Sequence, residues 1–251
     1  LAISDDTNVR FFEAHIGVIL KTPFMSVYLL SSSPVFPDPE EAEPNGLLAV
    51  GGDLSVERLV QAYTHGIFPW YDIKGPLLWW SPPERAIFLP GQGHFSRRTM
   101  RALKRIPFEI RMDTAFKQVI SHCSETPRKG QGGTWITPGM IEAYTELYHA
   151  GIAHSVETYL DNRLIGGLYG VSIGAAFFGE SMFGLTDYAS RAAFAALCKN
   201  LWKWGFHFID GQLPNENLKS LGAKTISRHD FLKRLDLALK EPTKLGRWTC
   251  I

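Results

Sequence analysis

Cysteine is scarce: the 251-residue chain has three, Cys123, Cys198 and Cys250, far apart and without a CxxC pair. Such an odd, scattered set excludes a disulfide framework and a thiolate metal site, and it suits a reducing cytoplasm. No apolar run approaches the roughly 18 residues that a membrane span needs. The eight histidines show no H-E-x-x-H or comparable spacing, so His149 and His154 read as surface residues rather than metal ligands. P-loop and dinucleotide fingerprints are missing as well. The net charge is only +1, which excludes a global attraction to polyanions; a nucleic-acid site has to come from local clustering.

What is present is an ordinary globular composition, 45% apolar and 20% charged, in a chain long enough for one large or two small domains. Aromatic residues make up 12%, with seven Trp, which raises the question of what the rings stack on. Residues 1–24 have an acidic start, a short apolar patch and no small-residue cleavage site, a poor signal peptide. Met25 follows them, so 1–24 is expected to be a mobile or loosely packed extension upstream of the true start. A small α/β domain is expected over 25–83 and a larger one over 84–251, with the boundary near Pro82–Pro83.

The pattern along the chain predicts an α/β (α+β) fold. Residues 33–46, dense in Pro, Glu and Ser, read as an extended arm. "DLSVERLVQAYTHG" predicts a short helix capped by Asp53 or Ser55 and stopped by Gly66. Then come a strand "AIFLP", a helix "SRRTMRALKRI" capped by Ser96, and a strand "FEIRMD". "TPGMIEAYTELYHAG" predicts a helix with Pro138 in its first turn and Gly151 past its end. "AHSVETYLDNRLIGGLYGVSIGAAFFGESMF" alternates with period two around turns at Asp161–Asn162 and Ile173–Gly174, which predicts three antiparallel strands. The helix "YASRAAFAALCKNLWKWG", the strand "FHFIDGQ" and the helices "NLKSLGA" and "RHDFLKRLDLAL" complete one mixed sheet.

Four features carry candidate chemistry. The helix at 97–105 holds Arg97, Arg98, Arg101, Lys104 and Arg105 without an acidic residue, and Arg97, Arg101, Lys104 and Arg105 share a face. An unpaired basic stripe is what phosphate contacts require, although charge runs are commonly just solvated faces. "GVSIG" at 170–174 matches G-x-S-x-G, but the nucleophile elbow needs strand, sharp turn and helix, and "AAFFGES" reads as another strand. "GFHFIDGQ" puts Phe206, Phe208, Asp210 and Gln212 on one strand face. Either the strand end reaches solvent there, or the carboxylate is paired or kept for its proton chemistry, since a bare one is expensive to desolvate. Glu180 in "GES" adds a second carboxylate in the same sheet.

Several segments in order, "EPNGLLAVGGDL", "GIFPWY", "LLWWSPPERA", "GGTWIT", "GGLYGVSIGAAFFGESMF" and "FIDGQ", resemble bacterial leucyl/phenylalanyl-tRNA–protein transferase from about Glu43 to Leu237. The resemblance implies a small N-terminal domain on an acetyltransferase-like C-terminal domain. It implies transfer of Leu, Phe or Met from aminoacyl-tRNA to proteins with an N-terminal Arg or Lys, marking them for N-end-rule degradation. Residue by residue it implies Asp210, Gln212 and Glu180 as catalytic, and Trp70 and Trp135 as stacking on the 3′-adenosine. Leu168, Met182, Leu197 and Ile209 would line the aminoacyl pocket, and Arg97, Arg101 and Lys104 would hold the acceptor stem. Gly211 stands where the resemblance leads one to expect Cys. No cofactor, metal or membrane is expected, and the chain is expected to act as a monomer.

Three other readings compete with this one. A CoA-dependent N-acyltransferase needs two spaced glycines before a helix to hold the pyrophosphate, and "FGLTDYASRAA" lacks them. A serine hydrolase would rest on Ser172 alone. A tRNA-binding module without catalysis would keep the basic helix but has no use for Asp210, Gln212 and Glu180 together.

Overall fold

The computed structural model describes residues 10–13, 18–21, 27–91, 95–126 and 135–250. The chain divides into two compact units, Leu1–Pro83 and Glu84–Ile251.

The first unit holds a six-stranded sheet. Its strands are β1 (Arg10–Glu13), β2 (Val18–Lys21), β3 (Tyr28–Leu30), β4 (Leu47–Gly51), β5 (Phe68–Pro69) and β6 (Leu78–Trp80), in the order β1-β2-β3-β4-β6-β5. Two stretches inside the expected extension, 10–13 and 18–21, thus pair with each other, and β2 joins β3 at Leu20 and Leu29. The rest of residues 1–24 lies outside the described residues.

Helix α1 (Val56–Thr64) is capped by Ser55, whose hydroxyl accepts from the Arg58 amide. Gly66 follows in the left-handed region at φ 70°, where a Cβ would be strained. Trp79 is fully buried, its indole donates to the Gly51 carbonyl at 2.9 Å, and Phe36 meets its ring edge-on. At Gly46 a Cβ would lie 2.6 Å from the Pro82 Cα; only glycine lets these two backbones approach.

The second unit is built on a seven-stranded sheet. Its strands are β7 (Glu84–Phe88), β8 (Glu109–Met112), β9 (Ala153–Leu160), β10 (Arg163–Ile173), β11 (Ala176–Gly184), β12 (Phe208–Asp210) and β13 (Lys224–Ser227), in the order β13-β7-β12-β11-β10-β9-β8. Only β11 and β12 run parallel, joined by α5 (Ala189–Lys203); the other neighbours are antiparallel. The β9–β10 turn has both Asp161 and Asn162 at positive φ, as a twisted two-residue hairpin requires. The next turn centres on Gly174–Ala175, one residue later than the alternation suggested.

Adjacent residues of β10 face opposite layers. Leu168 joins the core under α5 with Phe194, Leu197 and Leu201. Tyr169 meets Phe116 of α3 (Phe116–Glu125) and Tyr144 of α4 (Pro138–His149) edge-on. Helix α2 (Arg97–Arg105) is capped by Ser96, α6 (Glu216–Ser220) by Asn215 and α7 (Arg228–Ala238) by Ser227. Burial pushes the Cys198 thiol up to about 12, so it serves as an apolar core side chain.

Two readings are corrected, the extent of the strand at 206–212 and the surface placement of His154. Helix α3 and strand β13 were not foreseen. The strand expected to run from Phe206 to Gln212 ends at Asp210, because Gln212 turns into the left-handed region at φ 62°. His154 is buried, not on the surface: its Nδ1 lies 2.8 Å from Asp113 Oδ2 and its ring stacks on Trp248 at 3.6 Å. Ser172 is wholly buried within β10, and the turn after it leads into β11 rather than a helix. That is no nucleophile elbow.

Candidate active site

A cavity of about 510 Å³ opens where β11 and β12 separate. Its geometry follows from register. Phe177, Ile209 and Phe88 sit side by side across three strands and share one face. Phe178, Asp210 and Ile87 share the opposite face by the same pairing. Strict alternation would then put Met182, five residues after Phe177, on the wrong side.

A β-bulge resolves this. Tyr169 pairs with Ser181 while Gly170 pairs with Gly179, so Glu180 is the extra residue. The bulge returns Met182 to the face of Phe177 and re-aims Glu180, a known use of bulges beside functional sites.

The apolar wall of the cavity is formed by Leu168, Met182, Leu197 and Ile209, together with Phe88, Phe177 and Phe194. The four residues expected to line one pocket are therefore brought together. The three phenylalanines were not singled out from sequence, although Phe194 lies three positions before Leu197 on one helix face, which is a readable spacing. Asn215, Asn217 and Leu218 close another side and were missed too.

The polar wall centres on Glu180. Tyr144 donates its hydroxyl to Glu180 Oε2 at 3.1 Å, and Gln212 donates Nε2 to Glu180 Oε1 at 2.7 Å. Gln212 does not reach this position by strand alternation. Its left-handed turn brings the carboxamide back toward β11.

Asp210 is fully buried, and its carboxylate is occupied by protein groups. Arg85 Nη2 pairs with Oδ2, Arg85 Nε lies 3.3 Å from Oδ1, and the Gln212 amide donates to Oδ1 at 2.8 Å. Arg85 is 1% exposed and lies over the Phe231 ring at 4.2 Å. The carboxylate at the end of an apolar strand is thus paired, one of the readings left open by the sequence.

The remaining expected residues lie elsewhere. Arg97, Arg101 and Lys104 are exposed on α2 and form no ion pair among the described residues. Arg98 instead reaches the Tyr188 hydroxyl at 3.0 Å. Trp70 belongs to the first unit, half-buried, with its ring 5.6 Å from Trp80. Trp135 belongs to the second, beside 127–134, which lie outside the described residues. Among the described residues no cluster of His, Cys, Asp or Glu is arranged to hold a metal, and no helix is long and apolar enough to cross a membrane.

The profile of the leucyl/phenylalanyl-tRNA protein transferase family matches residues 87–236, and that of its N-terminal domain matches 52–83. A leucyl/phenylalanyl-tRNA–protein transferase from Nitratidesulfovibrio vulgaris (strain DP4) is 50% identical over 89% of this chain and 96% of its own length. One from Myxococcus xanthus (strain DK1622) is 50% identical over 90% and 97%. The chain belongs to this family. It is therefore an aminoacyltransferase. Among solved structures, L-PGS from Bacillus licheniformis gives a TM-score of 0.42 at 13% identity, over 83% of this chain and 70% of that one. That likeness is too loose to bear on function.

Proposed function

We propose that this transferase moves Leu, Phe or Met from aminoacyl-tRNA to the N-terminal Arg or Lys of acceptor proteins, marking them for N-end-rule degradation in the cytoplasm. The observation that carries the reading is one cavity with an apolar wall of Leu168, Met182, Leu197 and Ile209 and a polar wall of Glu180. A neutral side chain of Leu or Phe size suits the first wall. A cationic acceptor suits the second, because a carboxylate held by two donors is an oriented anion.

In the reaction the acceptor's α-amine nitrogen attacks the ester carbonyl carbon. The new amide C–N bond replaces the ester C–O bond, and the tRNA leaves with its terminal hydroxyl. An α-amine has a free pKa of about 7.7–8.0, so at neutral pH the fraction that has released its proton to water attacks, and the proton it sheds on forming the amide goes to the leaving oxygen of the tRNA. Glu180 holds the acceptor's side-chain cation, and Gln212 orients the amine or donates to the developing oxyanion. Asp210 contributes from behind, through the amide of Gln212. The ester is already activated, so positioning supplies much of the acceleration without a covalent enzyme intermediate.

The exposed cations Arg97, Arg101 and Lys104 suit the phosphates of an acceptor stem. Trp70 and Trp135 suit stacking on the terminal adenosine. No cofactor takes part in this scheme, and the protein acts as a monomer. The test is incubation with labelled Leu-tRNA and a peptide beginning with Arg. Label should enter that peptide and not one beginning with Ala. Equal labelling of both, or none, overturns the reading.

A further inference from the structure

We propose that Arg85 is a positioning residue for the transfer reaction, acting through Asp210 on Gln212. The inference rests on the transfer reading above, which gives Gln212 its work at the reacting amine. Its physical basis is a continuous chain of contacts. Arg85 grips Asp210 by two nitrogens, and Asp210 Oδ1 accepts the Gln212 amide at 2.8 Å. The Gln212 carbonyl accepts from the Ala86 amide at 2.8 Å, and the Gly211 amide donates to the Ala86 carbonyl at 2.7 Å. The Gln212 side chain then holds Glu180 at 2.7 Å.

Gln212 needs such a clamp because a non-glycine residue at φ 62° is locally strained. Relaxed to an ordinary conformation, its carboxamide would leave Glu180. The Asp210 side chain prevents that by capturing the Gln212 amide. Asp210 in turn holds this orientation because the Arg85 fork fixes its carboxylate plane, a two-pronged geometry that a lysine cannot reproduce. Arg85 is itself immobilised, buried on β7 with the Phe231 ring beneath its guanidinium. Neither Arg85 nor Asp210 has to touch substrate. Their product is the direction in which Gln212 points.

A merely structural ion pair makes a different prediction, since replacing a buried pair by apolar residues of similar volume is often neutral for stability. The full chain is compared with Arg85→Met, Arg85→Lys and the paired Arg85→Met/Asp210→Leu. Melting temperature, kcat and the KM for Leu-tRNA are measured with an Arg-peptide acceptor. Arg85→Met should lower kcat about a hundredfold, with KM for Leu-tRNA within about twofold of wild type. The paired variant should regain the melting temperature but not kcat, and Arg85→Lys should fall between.

A paired variant that regains both overturns the inference, as does Arg85→Lys with wild-type kcat. Should the Met variants fail to fold, Arg85→Lys decides alone. Hydrogen exchange at the Gln212 amide gives a readout independent of activity. It should accelerate about tenfold or more in Arg85→Lys as the clamp loosens, and unchanged protection overturns the inference. Absence of transfer by the wild type would count against the transfer reading instead.

Discussion

Asp113 and Asp210 are both buried aspartates of the second unit, each 1% exposed or less, and each has left-handed backbone at or close to it. Asp113 is itself in the left-handed region, at φ 54°. Its carboxylate accepts the amides of Ser155 and Trp248 at 2.8 and 2.7 Å, while its carbonyl takes Arg247 and the Tyr148 hydroxyl. With His154 stacked on Trp248, this ties the C-terminal segment to the end of β8. Asp210 holds Gln212 by the same device, an amide on a buried carboxylate, but that residue continues into a cavity wall. On the proposed reading of Asp210, burial and hydrogen bonding therefore do not separate a structural carboxylate from a functional one. What separates them is whether the group held in place ends at a core ring or at an opening large enough for a substrate.

The largest effect that follows is on turnover. Glu180→Gln and Asp210→Ala should each lower kcat about a hundredfold, with binding of aminoacyl-tRNA nearly intact. Asp113→Ala should leave kcat per folded molecule within about twofold, as expected of a group that touches neither substrate nor its positioning. Single-turnover kinetics on all three variants decides it. An Asp113 variant as slow as the Asp210 variant erases the distinction.

Next comes stability, where the order reverses for Asp113. Its removal strands buried donors at about 1–3 kcal/mol each, so Asp113→Ala should lower the melting temperature by about 5 °C or more. Trypsin should then cut after Lys240 or Lys244, because the C-terminal segment has lost its anchor. Calorimetry and a digestion time course check both. A variant that melts like wild type and resists trypsin shows that Arg247 and the Trp248 ring suffice.

A smaller, salt-dependent effect is expected at α2. Arg97→Ala, Arg101→Ala and Lys104→Ala should each raise the KM for aminoacyl-tRNA and flatten its salt dependence by about one charge. Puromycin-like donors, which lack an acceptor stem, should be unaffected. Equal weakening with those donors would show that the helix supports the fold rather than the stem.

How much of this was legible in the sequence tracks how local each determinant is. Helices α1, α2 and α4 carry their own caps, Ser55, Ser96 and Thr137, and their starts are readable. Helix α3 has none. The two residues before it, Thr114 and Ala115, donate their amides to Glu157, 42–43 residues away. The end of β12 was misread for a similar reason: the partner of Asp210 lies 125 residues earlier in the chain. The pocket residues came from the family resemblance. No counting of alternation would have joined Phe177 to Met182, because the bulge at Glu180 breaks the period that such counting assumes.

The smallest effect expected is on selectivity, at Gly211. A Cβ there would lie 3.0 Å from Leu218 Cδ1, tighter than an ordinary contact, and both residues line the cavity. The Gly211 backbone is not left-handed, so alanine is accepted without strain and the effect is one of volume. Gly211→Ala adds a methyl to the wall and displaces Leu218, which narrows the cavity. Apolar pockets discriminate by only about 1–3 kcal/mol per methylene. The expected change is therefore modest, about a fivefold fall in Phe transfer relative to Leu, with little change for Leu alone. Competition between Phe-tRNA and Leu-tRNA for one acceptor peptide measures the ratio directly. An unchanged ratio would mean that half-buried Leu218 yields toward solvent, and that the bound side chain lies against the phenylalanine wall instead.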